Sequence, residues 1–85
     1  MTIAHEIHQF TYAVGEEVVF GLTHADAFDL DRGAPMTPAC MPSWTIGAIV
    51  ACTRRGEVPA YLVRFEHHGV ACLAIAAQEQ IEGTA

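Results

Sequence analysis

The 85-residue chain carries ten Asp or Glu against four arginines and no lysine, a formal charge of −6. That length allows one domain, and so few cations exclude a phosphate-gripping surface; neither nucleic acid nor an anionic membrane is an expected partner. Hydrophobic residues make up 52% and charged residues 16%. Soluble domains average roughly 45–50% and 25%, and short chains leave much of their surface in water. The surplus apolar side chains predict a covering partner, and symmetry priors make that partner a second copy: a homo-oligomer, with room for a protein or small-molecule ligand.

The first nine residues read as a tail, with the domain spanning 10–85. Met1-Thr2-Ile3-Ala4-His5-Glu6 lacks the basic start and apolar core of a signal peptide, and no apolar run approaches the roughly 20 residues of a spanning helix. A cytoplasmic protein is expected. Phe10, Tyr12 and Val14 alternate and lead to Gly15, and Gly15–Phe20 reads as the first strand. Residues 21–43 hold no sustained period and contain Gly33, Pro35, Pro38 and Pro42, the punctuation of a long loop.

Trp44–Cys52 reads as the second strand, with Gly47 marking a bulge or a close backbone approach. Thr53–Val58 is a polar turn. Pro59–Glu66 is the third strand, with Tyr61, Val63 and Phe65 on one face and Arg64 and Glu66 on the other. His67-His68-Gly69 makes a tight hairpin turn. Val70–Ile75 is the fourth strand, Ala76–Glu79 a 3₁₀ turn, and Gln80–Glu82 a fifth short strand. The expected fold is all-β: a five-stranded SH3-like barrel with a long first loop and one 3₁₀ turn before the last strand.

Two families share more than this layout. Tyr12-Ala13-Val14-Gly15-Glu16-Glu17-Val18, the strand Trp44–Val50, and Ile75-Ala76-Ala77-Gln78-Glu79-Gln80-Ile81 resemble the type II, trimethoprim-insensitive dihydrofolate reductases. That family lines its pore with a Val-Gln-Ile-Tyr run, where this chain has Val70, Ala71, Cys72 and Leu73. The amide and hydroxyl that would meet substrate are missing, so the resemblance implies a fold and no reductase activity. Pro59-Ala60-Tyr61-Leu62-Val63-Arg64-Phe65 resembles a strand of the nitrile hydratase β-subunit barrel, which suggests an accessory subunit of a larger enzyme. In size and layout the chain also resembles orphan barrels of mobile gene cassettes. Likeness at core and turn positions argues fold better than function.

No catalytic set, metal site or cofactor motif stands out. His5 and His8 share one helical face only if the tail is helical, and His67 and His68 are adjacent at a turn, where extended neighbours point apart. Asp26, Asp29 and Asp31 before Gly33 depart from calcium-loop spacing. His24, Asp26 and Cys40 form no known nucleophile motif. Cys52 and Cys72 fall in apolar runs and read as buried thiols. Phe28, Trp44 and Tyr61 could cage a cationic group.

The long loop carries the functional reading. It holds Leu22, Phe28, Leu30, Met36 and Met41, too much apolar surface to be simply solvated, and loops this long are uncommon without a purpose. The expectation is a non-catalytic binding or assembly module whose contact surface uses Phe28, Met36, Met41, Trp44 and Tyr61, with Trp44 buried as the loop's anchor. The rival reading is a small oligomeric enzyme with a site on its symmetry axis.

Overall fold

A computed structural model describes residues 10–21, 27–36 and 44–85. The tail at 1–9, with His5 and His8, lies outside the described residues, as do Leu22, His24, Asp26, Cys40 and Met41. The described chain is all-β: β1 (Glu17–Gly21), β2 (Ala27–Asp29), β3 (Ala34–Pro35), β4 (Trp44–Arg55), β5 (Val58–His67), β6 (Val70–Ala77), a 3₁₀ turn (Gln78–Gln80) and β7 (Ile81–Thr84). All pairings are antiparallel, in the order β3-β2-β6-β5-β4-β1-β7.

The five expected strands and the 3₁₀ turn are present, and the strand count is corrected to seven. The two added strands are three and two residues long. Alternation needs four or more residues to register in a sequence, so strands this short leave no trace. They lie inside the segment read as loop, pinned by pairing of Ala27, Phe28 and Asp29 with Ala74, Leu73 and Cys72 of β6. The turn between them is closed by Asp29, whose Oδ1 accepts the Arg32 N–H (3.0 Å) while its carbonyl accepts the Gly33 N–H (2.8 Å). Gly33 takes φ 65° there. The segment from Asp29 to Gly33 is thus a self-capped turn, and Asp26 lies outside the described residues.

The β5–β6 turn is the two-residue kind expected, with His68 at φ 54° and Gly69 at φ 78°. Two positive φ values match the right-handed twist of the flanking strands. Gly47 is a close approach: a Cβ there would stand 2.6 Å from Val63 Cγ1 and 2.7 Å from the Arg64 carbonyl oxygen. The bulge falls slightly later, where the β4–β5 register slips between Ile49 and Ala51 and Val50 is left over.

The core is built from the inward side chains of this sheet. Val18, Phe20, Ile49, Tyr61, Val63, Phe65, Cys72 and Ala74 are buried together, with Met36 added from the end of the β2–β3 hairpin. Phe20 and Phe65 meet edge-to-face at 5.7 Å. Among the described residues no helix is long and apolar enough to cross a membrane.

Candidate functional site

Cross-strand partners point to the same side of a sheet, so the register identifies the outward face. Ile75 of β6 stands opposite Leu62 of β5, and Leu62 opposite Ala51 of β4. One row further on, Pro35, Phe28, Leu73, Arg64, Ala48 and Glu17 follow one another across β3, β2, β6, β5, β4 and β1. Next along β4 and β1 come Ile46 opposite Val19, then Trp44 opposite Gly21. This side carries Trp44 and Ile46, 56% and 57% exposed, together with exposed Phe28, Val50 and Ile75.

The face divides into two parts, with Arg64, Ala48 and Glu17 lying between them. One is a ribbon formed by Trp44, Ile46 and Val19. The indole rests over the bare backbone of Gly21: a Cβ at that position would be 3.2 Å from the Trp44 ring. The other is a groove of about 470 Å³, a volume within the range of small-molecule sites. Leu62, Leu73 and Ile75 from β5 and β6 line it, with Phe28 and Pro35 from the hairpin and Arg55 from the end of β4. A smaller hollow of about 170 Å³ lies by the β5–β6 turn, bounded by Asp29, Met36, His67, His68 and Cys72.

The structure separates the residues expected to share one contact surface. Phe28 lines the groove and Trp44 lies on the ribbon. Met36 is buried at the edge of the smaller hollow, and Met41 lies outside the described residues. Trp44 is exposed rather than buried, which overturns its expected role as a buried anchor.

Tyr61 is fully buried. Its hydroxyl oxygen accepts the N–H groups of Thr11 (2.9 Å) and Tyr12 (3.1 Å), and the hydroxyl donates to Gln78 Oε1. Phe10 and Tyr12 pack edge-to-face on its ring at 5.6 and 5.7 Å. Gln78 Nε2 donates to Thr11 Oγ1 at 2.7 Å. Tyr61 therefore ties the segment entering the fold to the 3₁₀ turn leaving it, and it cannot share a cage with Phe28 and Trp44.

The cysteines divide likewise. Cys72 is buried as expected, and burial raises its thiol pKa above the ordinary value, with the nearby Asp29 and Asp31 carboxylates adding to the effect. Cys52, expected to be buried, is exposed. It sits toward the end of β4 opposite Tyr61, with its Sγ 3.8 Å from the Tyr12 carbonyl oxygen.

The groove went unseen in the sequence because its walls come from strands too short to leave a pattern. Its floor residues, Leu62, Leu73 and Ile75, look in sequence like core residues of a strand. Arg55 could have been noticed, as one of only four cations in the chain.

No protein-family model matches this chain, and no curated protein or solved structure matches it either. The likenesses to type II reductases and to the nitrile hydratase barrel therefore rest on the quoted residues and a shared all-β layout.

Proposed function

We propose that this chain is a non-catalytic binding and assembly module, an SH3-like barrel that self-associates through the outer ribbon of β1 and β4. The sheet order is compatible with the barrel reading: β1 lies between β4 and β7, so the first and last strands of the chain are neighbours. The observation that carries the assembly reading is the pair Trp44 and Ile46. They sit two residues apart on one side of β4, each more than half exposed, in a chain whose charge would otherwise favour a polar surface.

A second copy fits this surface by charge as well as by apolar contact. Glu17, Ala48 and Arg64 form one cross-strand row. A two-fold axis running along β4 beside Ala48 sets Glu17 of one copy opposite Arg64 of the partner subunit, and the reverse. The same axis lays Trp44 and Ile46 against their own counterparts, the self-complementarity a two-fold interface requires. A stable interface takes about 800 Å² per partner. That is roughly one-sixth of the chain's 5103 Å² surface, within what one side of a sheet can supply.

Sedimentation equilibrium tests the reading. The wild type is expected well above its monomer mass of 9.2 kDa, and Ile46→Glu is expected at that mass with an unchanged circular dichroism spectrum. A wild type that stays monomeric at every accessible concentration refutes it.

A further inference from the structure

We infer that Arg64 is the head-group site for a small apolar acid, and that this acid, once bound, opposes self-association. The opposing effect rests on the assembly reading above; the site itself does not.

The cations single out Arg64. The chain has four arginines and no lysine. Arg32 Nε lies 3.5 Å from the Asp29 carboxylate. Arg54 donates to the Glu57 carbonyl oxygen at 3.0 Å and stands over the Phe10 ring at 5.7 Å. Arg55 is engaged as well. Arg64 is exposed, and among the described residues its guanidinium has no hydrogen bond, ion pair or ring contact. A chain of net charge −6 thus leaves this guanidinium without a partner.

Its surroundings decide what it can take. Arg64 stands on the outward side of β5, opposite Ala48 of β4 on one flank and Leu73 of β6 on the other. Cross-strand neighbours have Cβ atoms about 4.5–5.5 Å apart, so its aliphatic stem starts beside Leu73. Alternation puts Leu62 and Glu66 on the same side, two residues before and two after. Glu66 makes no ion pair with Arg64, and its charge turns an anion away from that direction. The Leu62 direction carries no acid. Leu62 and Leu73 both line the groove, and none of the groove's described lining residues is acidic. A carboxylate therefore meets Arg64 over Leu62 and Leu73, and an apolar body attached to it lies in the groove. The planar fork of a guanidinium matches a carboxylate, and the groove rewards buried apolar area.

The same guanidinium belongs to the proposed interface, where it meets Glu17 of the partner subunit. The acid and that glutamate compete for one cation. The bound head group also sets a second negative charge beside Glu17 of the partner subunit. Each event weakens the other by the same factor, as linkage between two binding equilibria requires.

Two-dimensional ¹H–¹⁵N NMR titrations of Trp44→Ala, the variant expected to stay monomeric, test the site with octanoate, octanol and octylammonium below micelle formation. Octanoate is expected to move the amide signals of Phe28, Leu62, Arg64 and Leu73. An exposed guanidinium pairs modestly, so octanoate should bind about fivefold more tightly than octanol, and octylammonium more weakly than either. Adding Arg64→Gln should bring the acid to the alcohol's affinity. Equal affinity for the acid and the ammonium would overturn the site, as would a preference for the acid that survives Arg64→Gln. No shift at all up to about 10 mM octanoate, a dissociation constant beyond the millimolar range, would do the same.

Sedimentation of the wild type tests the competition. Saturating octanoate should raise the dissociation constant of the assembly about fivefold, and octanol should leave it in place. An assembly that octanoate binds without weakening overturns the competition and leaves the assembly reading standing. A wild type that is monomeric without any acid overturns the assembly reading and the competition together, and the titration of Trp44→Ala still decides the site.

Discussion

Trp44 and Tyr61 are both large aromatics on long adjacent strands, and the fold uses them in opposite ways. Tyr61 points inward from β5, is fully buried, and satisfies its hydroxyl three times over with Thr11, Tyr12 and Gln78. Trp44 points outward from β4 over Gly21 and is 56% exposed. Residue type gave each the same standing as a candidate contact. Strand parity, a matter of one residue's offset along a period of two, decided which became structure and which became surface. The inner site holds the fold together, and the outer one is left for a partner.

The sharpest way to break this comparison is at Tyr61. Tyr61→Ala removes a fully buried ring, two aromatic contacts and the acceptor for two backbone N–H groups, and should cost about 3–5 kcal/mol. A melt should fall by more than about 12 °C, a loss that a small domain's stability of roughly 5–15 kcal/mol barely tolerates. Tyr61→Phe separates ring from hydroxyl. It keeps the packing but takes the acceptor from the Tyr12 N–H and leaves the Thr11 N–H only its 3.3 Å bond to Gln78 Oε1, for about 1 kcal/mol. A Tyr61→Ala protein that melts within a few degrees of wild type would remove Tyr61 from its place as the tie between the two ends of the fold.

Gly47 sharpens the contrast within a single strand, because it lies on β4 between outward-facing Ile46 and Ala48. An added methyl group would meet Val63 at 2.6 Å, the Arg64 carbonyl oxygen at 2.7 Å and Phe20 at 3.2 Å. Of these, the carbonyl belongs to the paired strand and cannot turn aside. Gly47→Ala should cost about 2–3 kcal/mol, the upper part of the range for overpacking, read as a lower urea midpoint with an unchanged slope. A neutral outcome would mean that β4 and β5 stand further apart than described.

How far the sequence foretold these outcomes depends on the length of the signal. β4, β5 and β6 run 12, 10 and 8 residues, long enough for alternation to show. The hairpin turn at His68-Gly69 announces itself through the one residue type that enters positive φ freely. Gly47 was legible too, since a glycine inside a β-branched run has few other reasons to be there. The β2–β3 hairpin was not legible. Its strands are held by pairing with β6, forty-odd residues away in the chain, and no local pattern encodes a distant partner. The groove inherits that illegibility. Exposure of Trp44 failed for a different reason: a tryptophan at the junction of loop and strand is buried or exposed according to which way the first strand residue points, and the junction's position is uncertain by a residue or two.

Trp44 itself gives the smallest expected change in stability, and the most informative one. More than half of its surface is already in water and its ring lies over the Gly21 backbone, so Trp44→Ala should cost the isolated chain about 1 kcal/mol or less. The assembly reading adds a concentration dependence. A partner that binds only the folded chain raises the apparent melting point by mass action, so wild type should melt higher as its concentration rises. Trp44→Ala, having lost the aromatic at the proposed axis, should lose that slope. The two proteins should converge in dilute solution and separate when concentrated. If they differ by the same large amount at every concentration, Trp44 is part of the core after all, and its outward direction from β4 is wrong. If neither shows any concentration dependence, the ribbon of Trp44, Ile46 and Val19 has no second copy to meet.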